Sequence, residues 1–292
     1  MGFRTVVVSS RCKCSYKNGY MVLQNTDIKM VHLSEIDSVI FETVAVSISG
    51  VLLSELCKKK VRIIFCDERH LPYSHLVSLS ANYKSSECLL KQVEWKEETK
   101  DHVWANIVYD KILKQSDALR IAGKKEESSK LKEYLDYITP GDVTNREGFA
   151  AKVYFNGMFG KDFTRDQRND DELNACLDYG YAVLLAIVSR EIVKNGYNLA
   201  LGIHHKGVFN PHNLACDIME PYRPIVDLII VNNFAGSLDS KMKEKFWNLG
   251  NIEVNYQGKG LSLPNAINEY FRSVCFCLEE EMIPLESYRY TI

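Results

Sequence analysis

The sequence predicts an α+β chain: a β-rich N-terminal domain over residues 1–76, followed by an all-α domain over residues 77–292. Three observations carry this. The first 76 residues are a series of short β-branched runs broken by turn residues. Past Ser80 the apolar residues recur instead at a helical period of 3.6. A chain of 292 residues also has room for two domains, which commonly hold about 100–200 residues each.

In the first domain FRTVVVSS, YMVLQN, KMVHL, SVIFE and VRIIFC read as strands. Asn18-Gly19 marks a hairpin, because both residues tolerate the positive φ of a tight turn. Asn25-Thr26-Asp27 marks another turn. One helix interrupts the strands. Ser47-Ile48-Ser49 opens it, Leu52 and Leu56 share a face at i and i+4, and Lys58-Lys59-Lys60 ends it where cations suit the helix dipole. The lysine triplet reads either as a solvated helix end or as a contact for a DNA backbone. Residues 67–72 form a loop that closes the domain.

In the second domain ANYKSSECLLKQVEWKEE and TKDHVWANIVYDKILKQSDALRIAG are amphipathic helices. Val103, Trp104, Ile107, Val108, Ile112 and Leu119 make the core-facing stripe of the second. A shorter helix is expected from Ser128 to Tyr137. After Thr139-Pro140-Gly141, Thr144 and Glu147 have the T-x-x-E form of a capping box ahead of AAKVYFNGMFG. Glu147 therefore either caps this helix or projects from its first turn as a ligand. Residues 161–170 form a charged loop, with Arg165 and Arg168 as candidates for phosphate contact. ELNACLDYGYAVLLAIVSREIVKN is apolar nearly all round and reads as the buried centre of the domain; Asp170 or Asp171 starts it and Asn195-Gly196 stops it. A helix near 237–247, a strand pair at IEVNY and GLSL, and a last helix over 264–280 complete the chain.

The net charge of −2 and pI of about 6.4 argue against indiscriminate coating of nucleic acid but leave room for a local basic groove. The charge is uneven: residues 1–80 carry 10 Lys+Arg against 7 Asp+Glu, and the remainder is net acidic. The nine cysteines include two CxC pairs, Cys12/Cys14 and Cys275/Cys277, but no CxxC. They read as reduced thiols of a cytoplasmic protein, not as a disulfide framework or a zinc site. No apolar run reaches the ~18 residues of a membrane helix, and the N-terminus lacks the apolar core of a secretion signal.

The stretch with the most chemistry is residues 199–231, LALGIHHKGVFNPHNLACDIMEPYRPIVDLIIV. Adjacent imidazoles at His204 and His205 precede a helix broken near Pro221 and Pro224. Asp217 and Glu220 stand at i and i+3 on one helical side, beside the apolar Leu214 and Ile218. Two carboxylates there need a cation or a basic partner. Arg223, a further three residues on, is one such partner. The segment alone fits either a metal site or an Arg–Glu helix pair with exposed histidines.

Four motifs resemble the CRISPR-associated integrase of the adaptation module. Glu147 opens a helix that carries Tyr154-Phe155. Residues 174–181 read NACLDYGY. Leu201-Gly202-Ile203-His204-His205 is similar to the family's G-x-x-H, which falls on His205. Residues 214–224, LACDIMEPYRP, are similar to its L-x-x-D-x-M-E-P-F-R-P. The likeness runs the whole chain and is most like type II systems.

The resemblance implies a metal set of Glu147, His205 and Glu220, with Asp217 a further ligand or a support. It implies Mg²⁺ or Mn²⁺, which suit carboxylates and one imidazole. The expected reaction inserts short foreign DNA fragments as new spacers into a CRISPR array, by attack of a DNA 3′-hydroxyl on repeat phosphodiesters. Expected phosphate contacts are His204, Lys206, Arg146, Arg165, Arg168 and Arg223. The implied partners are protospacer and repeat DNA, a second copy forming a homodimer through the β domain, and a small adaptation protein completing a heterohexamer. Other type II adaptation proteins and the RNA-guided effector nuclease are further partners. A structure-specific nuclease without integration, and a non-catalytic DNA-binding scaffold, use the same fold.

Overall fold

The protein is described by a computed structural model covering residue 2 and residues 4–76, 84–166, 171–280 and 287–290. The chain divides between Tyr83 and Lys84 into two compact units.

The first unit holds strands β1 (Arg4–Val8), β2 (Cys12–Lys17), β3 (Tyr20–Gln24), β4 (Ile28–His32), β5 (Ile36–Phe41) and β6 (Val46–Ile48), then helix α1 (Gly50–Lys58), then β7 (Arg62–Cys66) and β8 (Pro72–Leu76). One sheet has the order β1-β5-β7-β8, parallel except for β8; the other has the order β4-β3-β2-β6, in which only β6 runs parallel to its neighbour. Alternation places Val6 and Val8, Cys12 and Cys14, and Val39 and Phe41 in one core with Leu52 and Leu56 of α1. The Cys12/Cys14 pair thus alternates along a strand with both thiols turned inward. Asn18 and Gly19 turn the β2–β3 hairpin at φ 48° and 87°. Ser49 caps α1, its hydroxyl accepting from the Leu52 N–H at 3.3 Å. The loop at 67–72 is held by Asp67 Oδ1, which accepts from the N–H groups of Arg69 and Leu71, both at 2.9 Å. Beyond it β8 returns antiparallel to β7, a strand not announced by the sequence. It starts at a proline, sits at the sheet edge and has no apolar alternation.

Among its described residues the second unit is helical apart from one hairpin and a single antiparallel bridge between Asn255 and Arg289. Its helices are α2 (Ser85–Glu94), α3 (Glu97–Ile121), α4 (Lys125–Leu135), α5 (Arg146–Phe159), α6 (Glu172–Lys194), α7 (Asn213–Met219), α8 (Arg223–Asn233) and α9 (Ser240–Trp247). Strands β9 (Glu253–Tyr256) and β10 (Lys259–Ser262) follow, then α10 (Leu263–Glu280). The stripe from Val103 to Leu119 is buried as expected, but α3 also buries Asp110, Lys111, Lys114 and Gln115. Helix α6 starts at the Asp171 cap and is buried along most of its length. Gly180 lets its neighbours approach closely: a Cβ there would come within 2.4 Å of Val226 and 2.8 Å of Phe246. Helix α4 begins three residues before Ser128. That serine is buried inside the helix, where its hydroxyl and carbonyl both meet the Ser116 hydroxyl at 2.9 Å. Among the described residues no helix is long and apolar enough to cross a membrane.

The break at the prolines takes a definite form. Helix α7 ends at Met219, a single 3₁₀ turn covers Glu220–Tyr222, and α8 starts at Arg223. Pro221 and Pro224 each occupy the first turn of their segment, where a missing N–H costs nothing. The backbone stays right-handed helical through the break, at Met219, Glu220, Tyr222 and Arg223 alike, so the helical path continues.

Candidate functional site

The histidine loop is organised by Asp217, which is fully buried. Its Oδ2 accepts from the N–H groups of Ile203 at 2.6 Å and His204 at 3.2 Å. Its Oδ1 accepts from the His205 N–H at 3.1 Å and lies 2.6 Å from His205 Nδ1. With Nδ1 donating to this carboxylate, the imidazole keeps its lone pair on Nε2. Gly202 is required here: a Cβ would lie 2.3 Å from the His205 carbonyl oxygen and 2.8 Å from Asp217 Oδ2. Asn213 closes the loop, its Nδ2 donating to the carbonyls of Ala200 and Gly207, both at 3.0 Å.

The histidine doublet is sorted by one indole. Trp104 of α3 is buried; His204 stacks flat on it with ring centroids 4.3 Å apart and planes 2° apart. His205 meets the same indole edge-on at 5.7 Å and 88°. The Asp217 hydrogen bond raises the His205 pKa against the effect of burial, helped by the charges of Asp217, Glu220 and Glu147. His205 therefore stands in the field of both glutamates.

Those glutamates meet at a lysine. Lys111 Nζ, on α3, lies 2.6 Å from Glu147 Oε1 and 2.5 Å from Glu220 Oε2. Arg223 Nη2 lies 3.0 Å from Glu220 Oε1 and its guanidinium covers the Tyr181 ring at 4.8 Å. Burial disfavours the Glu220 charge, but Arg223, Lys111 and His205 outweigh it and hold the group below its ordinary value. Burial likewise opposes the Lys111 charge, and Glu220 with Glu147 outweighs it, so the ammonium persists. Glu220 Oε2 is buried and, despite its close ion contact, receives no aligned hydrogen bond.

Glu147 is free for this role because other residues cap α5. Asn145, at φ 52°, is the N-cap and accepts from the Gly148 N–H at 3.2 Å; Asp142 accepts from the N–H groups of Arg146 and Glu147, both at 2.9 Å. The capping box expected of Thr144 and Glu147 does not form, and the Thr144 hydroxyl donates to the Tyr137 carbonyl at 3.2 Å instead.

The basic candidates divide. Arg223 lies in the cluster. Arg146, at the start of α5, lies 5.6 Å over the rings of both Tyr137 and Phe149. Lys206 is 64% exposed and pairs with Glu97 at 2.7 Å. That hydrogen bond, with one from Lys100, takes the Glu97 pKa down to about 2. Arg165 is committed to the fold: it pairs with Asp178, donates to Asn174 Oδ1 at 2.8 Å and covers Tyr181 at 5.6 Å. Arg168 lies outside the described residues.

Two features are not announced by the sequence. Lys111 carries one signal, a charged residue on the apolar face of α3 beside Val108 and Ile112. Asp227 is the other. It is buried on α8 and accepts from Tyr154 at 2.7 Å and Tyr181 at 2.6 Å; burial, partly offset by those bonds, pushes its pKa up to about 6. Among the described residues no three His, Cys, Asp or Glu side chains converge closely enough to chelate a metal ion as they stand. Between Glu147 and Glu220 stands the Lys111 ammonium.

Both parts of this architecture recur in solved structures. A Cas1 protein from Thermotoga maritima matches 97% of this chain over 99% of its own length, with a TM-score of 0.79 at 16% identity. A casposase bound to integration product matches 98% of this chain over 93% of its own, at 0.76 and 18%. A Cas6-RT-Cas1–Cas2 complex contains a longer chain, 35% of which is covered, with a TM-score of 0.73 at 18% identity. In sequence, a CRISPR-associated endonuclease Cas1 of Neisseria meningitidis is 29% identical over 305 residues, spanning 99% of this chain and all of that protein. One from Saccharolobus solfataricus is 27% identical over 87% of this chain and 81% of its own. The sequence profile for CRISPR associated protein Cas1 matches residues 5–245. The chain belongs to the Cas1 family.

Proposed function

We propose that this chain is the metal-dependent DNA integrase and endonuclease of CRISPR spacer acquisition, of the type II kind and cytoplasmic. One observation carries the reading. Glu147, Glu220 and His205 come from three separate segments, and the two carboxylates lie within 2.6 Å of one cationic atom while the imidazole stands in their field. Two carboxylates and one imidazole are a donor set for Mg²⁺ or Mn²⁺. Glu220 Oε2, buried and without an aligned hydrogen bond, is an acceptor suited to a cation. Bound there, a divalent ion would supply Lewis-acid activation of a phosphodiester and offset the negative charge on the phosphoryl oxygens in the transition state.

The chain's own residues do the rest. Asp217 is a positioning residue: it fixes the His205 tautomer and gathers the loop, and its oxygens are already occupied by four protein donors. Arg223 offsets the Glu220 charge. Lys206, Arg146 and His204 surround the site as contacts for neighbouring phosphates. The 3′-hydroxyl of an incoming DNA end attacks the repeat phosphorus and gives its proton to water, and the repeat 3′-oxygen leaves and takes a proton from water, so one phosphodiester and one hydroxyl replace another pair. Water in place of that hydroxyl gives hydrolysis.

Insertion of both DNA ends needs two such sites, so the working form is a homodimer. A small Cas2-type partner completes a heterohexamer; the Cas6-RT-Cas1–Cas2 complex among the fold neighbours supports the choice of partner.

The test is strand transfer of a short duplex into a supercoiled plasmid carrying a repeat, with the partner present. Product is expected with Mn²⁺ or Mg²⁺, is lost in chelator and returns on adding metal back. Full turnover in chelator would overturn the metal reading. Cleavage without strand transfer would leave a structure-specific nuclease.

A further inference from the structure

We propose that Lys111 is the built-in counter-cation of this site: its ammonium holds Glu147 and Glu220 together before a divalent ion arrives, and the ion must displace it. The inference rests on the metal reading above and goes beyond it, because it assigns a resident competitor for the ion's place.

Two nearby carboxylates repel, and one that is buried loses hydration as well. Something cationic has to stand between Glu147 and Glu220 for both to stay charged. Lys111 Nζ does so, at 2.6 and 2.5 Å. A divalent ion held by these two carboxylates would need the same acceptors, with Mg²⁺–oxygen distances of about 2.0–2.1 Å. An ammonium and an ion cannot both occupy that gap.

The pairing is built to be exchangeable. Lysine carries a compact charge on a flexible four-carbon stem, so its head can leave while α3 stays in place. The Lys111 side chain is 10% exposed, so it lies at the edge of the buried interior and not in its centre. On exchange the ammonium gives up one hydrogen bond, to Glu147 Oε1 at 2.6 Å, and a close ion contact with Glu220 Oε2, and the doubly charged ion replaces both. Asp217, one helical turn before Glu220, is the counter-example: its oxygens are held by backbone N–H groups that cannot leave without unfolding the loop. Arg223 remains on Glu220 Oε1 and keeps that carboxylate oriented through the exchange.

Binding of Mn²⁺ to the DNA-free full-length protein, followed by calorimetry and by the loss of the free-ion EPR signal, tests this in the wild-type chain, Lys111→Met and Lys111→Arg. Lys111→Met removes the competitor. It is expected to bind Mn²⁺ at least about tenfold more tightly, to melt lower than wild type in chelator, and to gain more Tm from Mn²⁺. Lys111→Arg keeps the charge but fills the gap with a larger, two-pronged group, and is expected to bind Mn²⁺ at least about fivefold more weakly than wild type. Equal or weaker binding by Lys111→Met overturns the inference and leaves the metal site standing. Absence of Mn²⁺ binding by wild type and both variants overturns the metal reading itself. If Lys111→Met does not fold even in Mn²⁺, Lys111→Arg decides: binding equal to wild type overturns the proposal.

Discussion

Asp217 and Glu220 stand three residues apart, both are buried, and their surroundings are opposite in kind. Asp217 is held by three backbone N–H groups and an imidazole, donors that belong to one loop. Glu220 is held by Lys111 and Arg223, cations on long side chains from α3 and α8. Backbone donors fix a carboxylate in place and consume its acceptors. Side-chain cations neutralise it but can be exchanged. The same residue class one turn apart therefore does two jobs: Asp217 builds the loop that presents His205, and Glu220 keeps an oxygen available to a cation.

The largest expected effects fall on what each half presents, Glu220 from the exchangeable one and His205 from the fixed one. Glu220→Gln and His205→Ala should each lower strand transfer by at least about 10³-fold while circular dichroism stays native. Either variant retaining most activity would break the division. Asp217→Asn should act through the fold as well, because an amide cannot accept all four bonds. Denaturant unfolding is expected to show a loss of about 3 kcal/mol. The same change should lower the His205 pKa, read by NMR, since the Asp217 hydrogen bond is the main cause of its rise. An unchanged imidazole titration would refute the positioning role.

Gly202→Ala is a smaller probe of the same loop. The added methyl meets the His205 carbonyl, and a stability loss of about 2 kcal/mol with weakened metal binding is expected.

The mildest test lies behind Arg223. Asp227 titrates at about 6 in the fold against an ordinary 3.8, so the folded state holds its proton more tightly than the unfolded state. That stability is complete below pH 3.8, declines as pH rises, and is gone above about 6. The gap is worth at most about 3 kcal/mol. The difference in unfolding free energy between wild type and Asp227→Asn should follow that curve, and a flat difference would count against it.

Much of this was legible in the chain. The period-2 and period-3.6 patterns separated the two parts, and the i, i+3 acids with the glycine-to-histidine spacing picked out side chains that the structure joins through Asp217 and Lys111. Besides β8 and Asp227, three things were not. The T-x-x-E spacing at Thr144 has the form of a capping box, but Asp142 and Asn145 take the free N–H groups first, so only the three-dimensional competition shows Glu147 to be released. Ser128 looked like a helix start because its hydroxyl suits one, while its partner Ser116 is twelve residues away. Lys111 pairs with Glu147 and Glu220, both far along the chain, a reach that no local pattern carries.

Trp104 and Lys111 lie seven residues apart on α3, two near-complete turns, so both project toward the same side. One end of that stretch seats the histidines and the other meets the glutamates. Adding or removing a single residue between them would rotate one about 100° away from the other. Loops elsewhere in the unit have latitude in length, while these two turns of helix act as a fixed gauge whose register must be kept for the two halves of the site to face each other.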